Sequence, residues 1–270
     1  MSSHCGPWGV AVSLVRALAF AVAGFAIVST PEATADPDAL WWVVHEQCVP
    51  AAQQRDDPAP CAWVDLSHGE DRGYVVLKDV KGNSQYLLVP TARISGIESP
   101  VLLEPDSTNY LAAAWDARSF VEQRAGGSLP RDWMSLATND MIGRSQDQLH
   151  IHIDCLRADV HEALRIHGSE IGPTWAPFSQ PLAGNTYSAI AIKGENLGGV
   201  NPFALIADGI DGARVDMGMQ TLAVVGRVDS DGQPGFIVLA DQATTETRNL
   251  VGAERLQDHT SCEALISGGK

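Results

Sequence analysis

Basic side chains are scarce. Of 270 residues, 18 are Lys or Arg against 33 Asp or Glu, a formal net charge of -15. A nucleic-acid backbone needs Lys and Arg to displace its counterions, and polybasic attachment to anionic lipid needs a basic stretch, so the charge balance argues against both. Any phosphate-bearing ligand must be met in a local pocket. Long apolar runs are lacking beyond the N-terminus: no segment after residue 35 approaches the ~20 apolar residues of a membrane span. There is no fixed-period repeat or low-complexity tract either. What remains is a chain with 45% apolar residues and 25 glycines, enough for a sizeable core and, at roughly 150 residues per domain, one large or two small domains.

The N-terminus carries an export pattern. Arg16 precedes an uncharged run from Ala17 to Val28 and a small-residue exit, Ala33-Thr34-Ala35. This is the layout of a cleaved signal peptide; the alternative is an uncleaved anchor in which Arg16 snorkels. Either places residues 36–270 outside the cytoplasm. Arg16 and Glu32 leave together, so that part keeps the charge of -15. Of five cysteines, Cys5 lies in the leader, and Cys48, Cys61, Cys155 and Cys262 remain. An even number in an exported chain indicates two disulfides, with three possible connectivities. The favoured pairing joins Cys48 to Cys61 across a Pro-, Gln- and Asp-rich loop, and Cys155 to Cys262, tying the chain's end to its middle. Four buried free thiols are the alternative.

The pattern predicts a short helix over 40–49 and a loop over 50–65, where Pro50, Pro58 and Pro60 oppose regular structure. A hairpin follows, 73–79 and 84–90, turning at Lys81-Gly82-Asn83. A helix over 107–124 is stopped by Gly126-Gly127, and strands are expected at 133–137 and 148–155. Beyond a short helix at 159–165 lies a second β-rich stretch, 187–241. Its strands at 221–226 and 235–240 are joined by Asp229-Ser230-Asp231-Gly232. The fold expected is α+β: an antiparallel sheet with packed helices and a β-rich C-terminal extension. In one domain, 36–270, the core spans about 70–160 and the C-terminal lobe about 161–265.

The chemistry concentrates in Gln146-Asp147-Gln148-Leu149-His150-Ile151-His152-Ile153-Asp154-Cys155. Strand alternation puts Gln146, Gln148, His150, His152 and Asp154 on one face, with Leu149, Ile151, Ile153 and Cys155 toward the core. Packing alone does not explain two imidazoles flanked by Gln and Asp. One reading is a metal site on His150, His152 and Asp154, similar to the opening of the zinc motif of metallo-β-lactamase-like hydrolases. That motif continues with a His where Cys155 stands, and His161, His167 and His259 complete no recognisable ligand spacing. The other is a nucleophilic imidazole, which attacks phosphorus when its second ring nitrogen is held and nearby donors offset the phosphate charge.

Asn139, Gln146, His150 and His152 resemble the signature of the histidine-triad superfamily of nucleotide hydrolases and transferases, with Asp154 in the place of the third His. The resemblance implies a histidine-triad-like antiparallel fold, His152 as nucleophile with His150 beside it, and Asp79 as a ribose ligand ahead of Leu87-Leu88-Val89-Pro90. A second register makes Gln148, His150 and His152 the triad and His150 the nucleophile. More narrowly, the blocks 73–79, 85–91, 96–100, His-Ile-His with Cys155, and Gln257-Asp258-His259 near Cys262 resemble the CDP-diacylglycerol pyrophosphatase family. The four cysteines fall where that family has them; Gln148 stands where a His is expected.

This implies hydrolysis of CDP-diacylglycerol to CMP and phosphatidate through a nucleotidyl-histidine. Asn139, Gln146, Gln148, Asp154 and Asp79 would contact substrate, and neither cofactor nor metal would be required. The implied setting is a membrane surface on the periplasmic side of the bacterial inner membrane, and oligomeric state is not readable. The rivals are a hydrolase or transferase of other nucleotides and an exported phosphate-binding module without activity.

Overall fold

The computed structural model describes residues 36–55, 57–244, 246 and 252–267; the leader expected over residues 1–35 falls outside them. The chain starts with α1 (Ala39–Trp42), a π-helical stretch (Val43–Cys48) and α2 (Val49–Arg55). This helical segment runs past Pro50, where a loop was expected. The wide π turn closes with the Val49 N–H on the Val44 carbonyl. Pro50 thereby enters in the first turn of α2, where its missing N–H costs least.

Strands β1 (Trp63–Asp65), β2 (Tyr74–Lys78) and β3 (Tyr86–Pro90) follow. The expected long helix is two, α3 (Tyr110–Asp116) and α4 (Arg118–Ala125), broken at Ala117. Asn109 caps α3 by accepting from the Ala112 N–H, and α4 ends on Gly126 at φ +98°. Next come β4 (Met134–Thr138), β5 (Ile151–Cys155) and α5 (Ala158–His167). The C-terminal half supplies β6 (Ala176–Pro177), β7 (Ser188–Lys193), α6 (Pro202–Gly209), β8 (Gln220–Val228), β9 (Pro234–Gln242) and α7 (Ser261–Ser267). Helix α6, rich in apolar residues, was not anticipated.

All these strands form one nine-stranded sheet in the order β1-β2-β3-β5-β4-β8-β9-β7-β6. Every pairing is antiparallel. The β-rich C-terminal part does not build a second sheet: β8 pairs with β4, Ser135 facing Val225 and Thr138 facing Leu222. Both disulfides have the favoured connectivity, Cys48–Cys61 and Cys155–Cys262.

The two faces of the sheet are covered differently. On one, Val76, Leu88, Ile151, Ile153, Leu136, Val224 and Val238 meet Leu111 and Trp115 of α3, Val121 of α4 and Phe203 and Ile206 of α6 in a continuous core. The other face carries two separate clusters. Leu40, Val44 and Val49 of the N-terminal helices cover Val75, Leu87 and Val89. Val160 and Leu164 of α5 cover Ala137, Ala223, Val225 and Leu239. On the central strand β5, His152 pairs with Leu87 on one side and Ala137 on the other. It therefore stands in the seam between the two clusters.

Candidate active site

Alternation along β5 sends Ile151, Ile153 and Cys155 into the continuous core and turns His152 and Asp154 to the seam, as the sequence predicts. His150 lies just ahead of the strand, its ring 5.0 Å from that of His152 and inclined at 70°. The strand begins only at Ile151, so the shared face does not extend back to Gln146 and Gln148. Gln148 is fully buried and spends both amide hydrogens on the carbonyls of Pro90 and Ala92, at 3.0 and 2.9 Å. Gln146 lines the cavity described below, but its side chain accepts from the Leu40 N–H at 2.7 Å and donates to the Asp36 carbonyl at 3.0 Å. It pins the start of the N-terminal helices.

His150 Nδ1 lies 2.7 Å from the carbonyl oxygen of Gln148. A carbonyl only accepts, so Nδ1 carries the proton and Nε2 keeps its lone pair. His152 Nδ1 is 3.1 Å from Nε2 of Gln85 and 3.9 Å from Asp79, while its Nε2 faces the Glu254 carboxylate at 3.6 Å. Burial lowers the pKa of both rings, that of His152 to about 3, with His150 adding to the effect. Both are neutral near pH 7.

Glu254 arrives from the turn Ala253–Leu256. Its N–H donates to the Asn139 side-chain oxygen at 3.1 Å, and the Asn139 amide returns a bond to its carboxylate at 3.2 Å. Lys81 donates to the other carboxylate oxygen at 3.2 Å. Although burial opposes it, Lys81, the Asn139 amide and the facing His152 ring hold the Glu254 pKa below its usual value, so the carboxylate stays ionised. Asp154 is fully buried, accepts from the Cys155 N–H at 2.9 Å and pairs with His259 Nδ1 at 2.8 Å. That contact raises the pKa of His259.

The histidines open into a cavity of about 350 Å³ with two kinds of wall. Leu40, Val43, Leu77 and Leu87 form an apolar side; Asp79, Asn139, Gln146 and Glu254 join the histidines on the polar side. Thus Asp79, Asn139, Gln146, His150 and His152 converge on one cavity, whereas Gln148 and Asp154 sit behind it. Sequence reasoning missed Gln85, Lys81, Glu254 and His259. Gln85 and His259 lay in family-like blocks without an assigned role; nothing marked Glu254 apart from an ordinary surface acid.

The metal reading finds no support in the geometry. Among the described residues, the one grouping of possible metal ligands is Asp154 with Cys155 and Cys262. Its two sulfurs are joined in a disulfide and offer no thiolate. Neither His150 nor His152 belongs to it.

The family model described as CDP-diacylglycerol pyrophosphatase matches residues 35–265, from ahead of α1 into α7. A CDP-diacylglycerol pyrophosphatase of Yersinia pestis is 43% identical over 228 residues, covering 84% of this chain and 85% of the relative. With its seam of histidines on a central antiparallel strand, the chain belongs to the CDP-diacylglycerol pyrophosphatase family.

Proposed function

We propose that this chain hydrolyses the pyrophosphate bond of CDP-diacylglycerol to CMP and phosphatidate, through a covalent nucleotidyl-histidine. The observation that carries the mechanism is the 2.7 Å contact of His150 Nδ1 with the Gln148 carbonyl. It fixes the tautomer a nucleophile needs, in a neutral ring at the wall of a half-apolar cavity. His150 Nε2 attacks the cytidine-side phosphorus, and the bond to the bridging oxygen breaks with its electron pair leaving on phosphatidate. Water then attacks the same phosphorus, the N–P bond breaks, and CMP leaves.

His152, held by Gln85 on one nitrogen and facing Glu254 with the other, is placed to donate to phosphate oxygens as charge builds. The apolar wall suits the nucleoside, with Asp79 near its ribose. The leader, residues 1–35, would deliver the domain to the periplasmic side of the inner membrane, where the lipid substrate lies.

A second reading makes His152 the nucleophile, the register that the Asn139–Gln146 spacing favours. Buried Gln85 Oε1 and His152 Nε2 both lack a hydrogen-bond partner among the described residues. Turning the Gln85 amide would let Oε1 accept from Nδ1–H and free the lone pair on Nε2. Single-turnover reactions quenched in alkali and analysed by fragment mass spectrometry separate the two. The expected result is a cytidylyl adduct on His150, abolished in His150→Ala with turnover falling at least ~1,000-fold, and still formed, more slowly, in His152→Ala. The reverse pattern moves the nucleophile to His152. An unmodified protein in both single variants and in the parent would end the covalent mechanism.

A further inference from the structure

A second cavity, of about 460 Å³, adjoins the first. Lys81, Asn139, Gly143 and Glu254 line both. The first cavity has an apolar wall; this one adds Arg157, Arg255 and His259. In a chain of net charge -15, Lys81, two arginines and a histidine gather around one opening, with Glu254 the sole acid in its lining among the described residues. Resting on the reading above, we infer that this second cavity binds the leaving half of the substrate, a phosphate monoester, with His259 as a further catalytic residue that donates to it.

The arrangement of His259 supports that role. Fully buried Asp154, on the same strand face as His152, holds His259 Nδ1 at 2.8 Å. Asp154 is thus a positioning residue, fixing the ring with its Nε2 side toward the opening and stabilising the imidazolium. The groups facing His259 are Asp154 from β5, Asp79 and Lys81 from the β2–β3 turn, and Glu254 from the 253–256 turn. Asp258 belongs to its own segment, and Arg157 and Arg255 stand across the cavity. Asp154 makes the shortest of these contacts and favours the protonated ring.

Lys81 is paired with Glu254 at 3.2 Å, and Arg157 grips Asp159 through two bonds of 2.9 Å. Both cations are held in place before a ligand arrives, so they stabilise a dianion without reorganising. When the P–O bond at the cytidine-side phosphorus breaks, the electron pair stays on the bridging oxygen. The imidazolium Nε2–H passes its proton to that phosphate, which leaves as the monoester, and His259 regains a proton from bulk water.

The test compares two substrates by CMP release: CDP-diacylglycerol, and the 4-nitrophenyl ester of CMP, which has no second phosphate. For His259→Gln the expected loss of kcat on CDP-diacylglycerol is at least ~100-fold, while the aryl ester stays within about threefold. Arg157→Met, an exposed change that spares the fold, should weaken competitive inhibition by glycerol 3-phosphate roughly tenfold and leave inhibition by CMP unchanged. Equal losses on both substrates in His259→Gln, or unchanged turnover of CDP-diacylglycerol, would overturn the inference. Failure of the parent protein to release CMP from CDP-diacylglycerol would instead sink the function it rests on.

Discussion

At the scale of single residues, the seam depends on holding two imidazoles neutral where water would let them charge. The pKa of His152 is pushed down to about 3 from an ordinary 6.5. A group with a depressed folded pKa contributes stability that is fully present above its unfolded pKa and is lost as pH falls toward the folded value. Stability should therefore decline below pH 6.5 at up to about 1.4 kcal/mol per pH unit for this residue. His259 has the opposite sign: its raised pKa adds stability below pH 6.5 that fades as pH rises through the folded value. Thermal melts from pH 7.5 to 4.5 should thus show a flatter acid limb in His152→Gln than in the parent; parallel limbs would mean that His152 already charges in the fold.

Gln85 gives a second residue-level prediction. Gln85→Leu removes the partner of His152 Nδ1 and should lower kcat about 10- to 100-fold, the equivalent of a lost buried hydrogen bond, with KM little changed. A change in KM alone would make Gln85 a binding residue. Which of these side chains the sequence discloses depends on locality. His150 and His152 are legible because they lie in or beside a short segment whose alternation is unambiguous, whereas Asp79 was named only through the family resemblance. Glu254 reaches Asn139 across 115 positions of chain, and no local pattern encodes such a meeting. Gln148 misleads because strand alternation was extended past the residue where pairing begins.

At the scale of elements, the β2–β3 hairpin does more than connect strands. Its turn supplies Asp79 and Lys81, and Gly82 takes φ +61° against the C-terminal segment. A Cβ at Gly82 would collide with Cβ of His259. Gly82→Ala should cost about 1–2 kcal/mol for the left-handed backbone and, beyond that, cut turnover of CDP-diacylglycerol by displacing His259. Gly232, at φ +76° in the β8–β9 turn, has open space around it; Gly232→Ala should cost similar stability and leave turnover intact. Comparable turnover in the two variants would show that the turn does not position His259. The hairpins, β4, β5 and α5 were readable from periodicity and turn residues. The helix through Pro50 was not, since a proline reads as a breaker until the wide turn before it is seen. Helix α6 was missed inside a stretch whose apolar residues suit strand and helix equally.

At the scale of the whole molecule, one sheet carries a continuous core on one face and a divided one on the other, and the division holds the candidate active site. One flank of that division is fastened by a disulfide, and a second disulfide lies in the continuous core behind it. Cys48–Cys61 ties the helices over Leu87 to the loop before β1, closing a separation of 13 residues. Cys155–Cys262 ties α7 to β5 itself, with a separation of 107. The segment it anchors delivers Glu254, Gln257 and His259; Gln257 also donates to the Ser135 carbonyl at 3.2 Å and its hydroxyl at 3.1 Å. By chain entropy alone, the larger loop is worth about 4.7 kcal/mol and the smaller about 3. Replacing Cys155 and Cys262 by Ser should therefore lower the urea midpoint more than replacing Cys48 and Cys61. Turnover should also fall under conditions where the fold still holds, because Glu254 and His259 lose their anchor before the sheet opens. Full turnover in that variant, at a lowered midpoint, would show that the 253–259 segment is held at the histidines by its own hydrogen bonds and that the disulfide stabilises the fold without positioning the site.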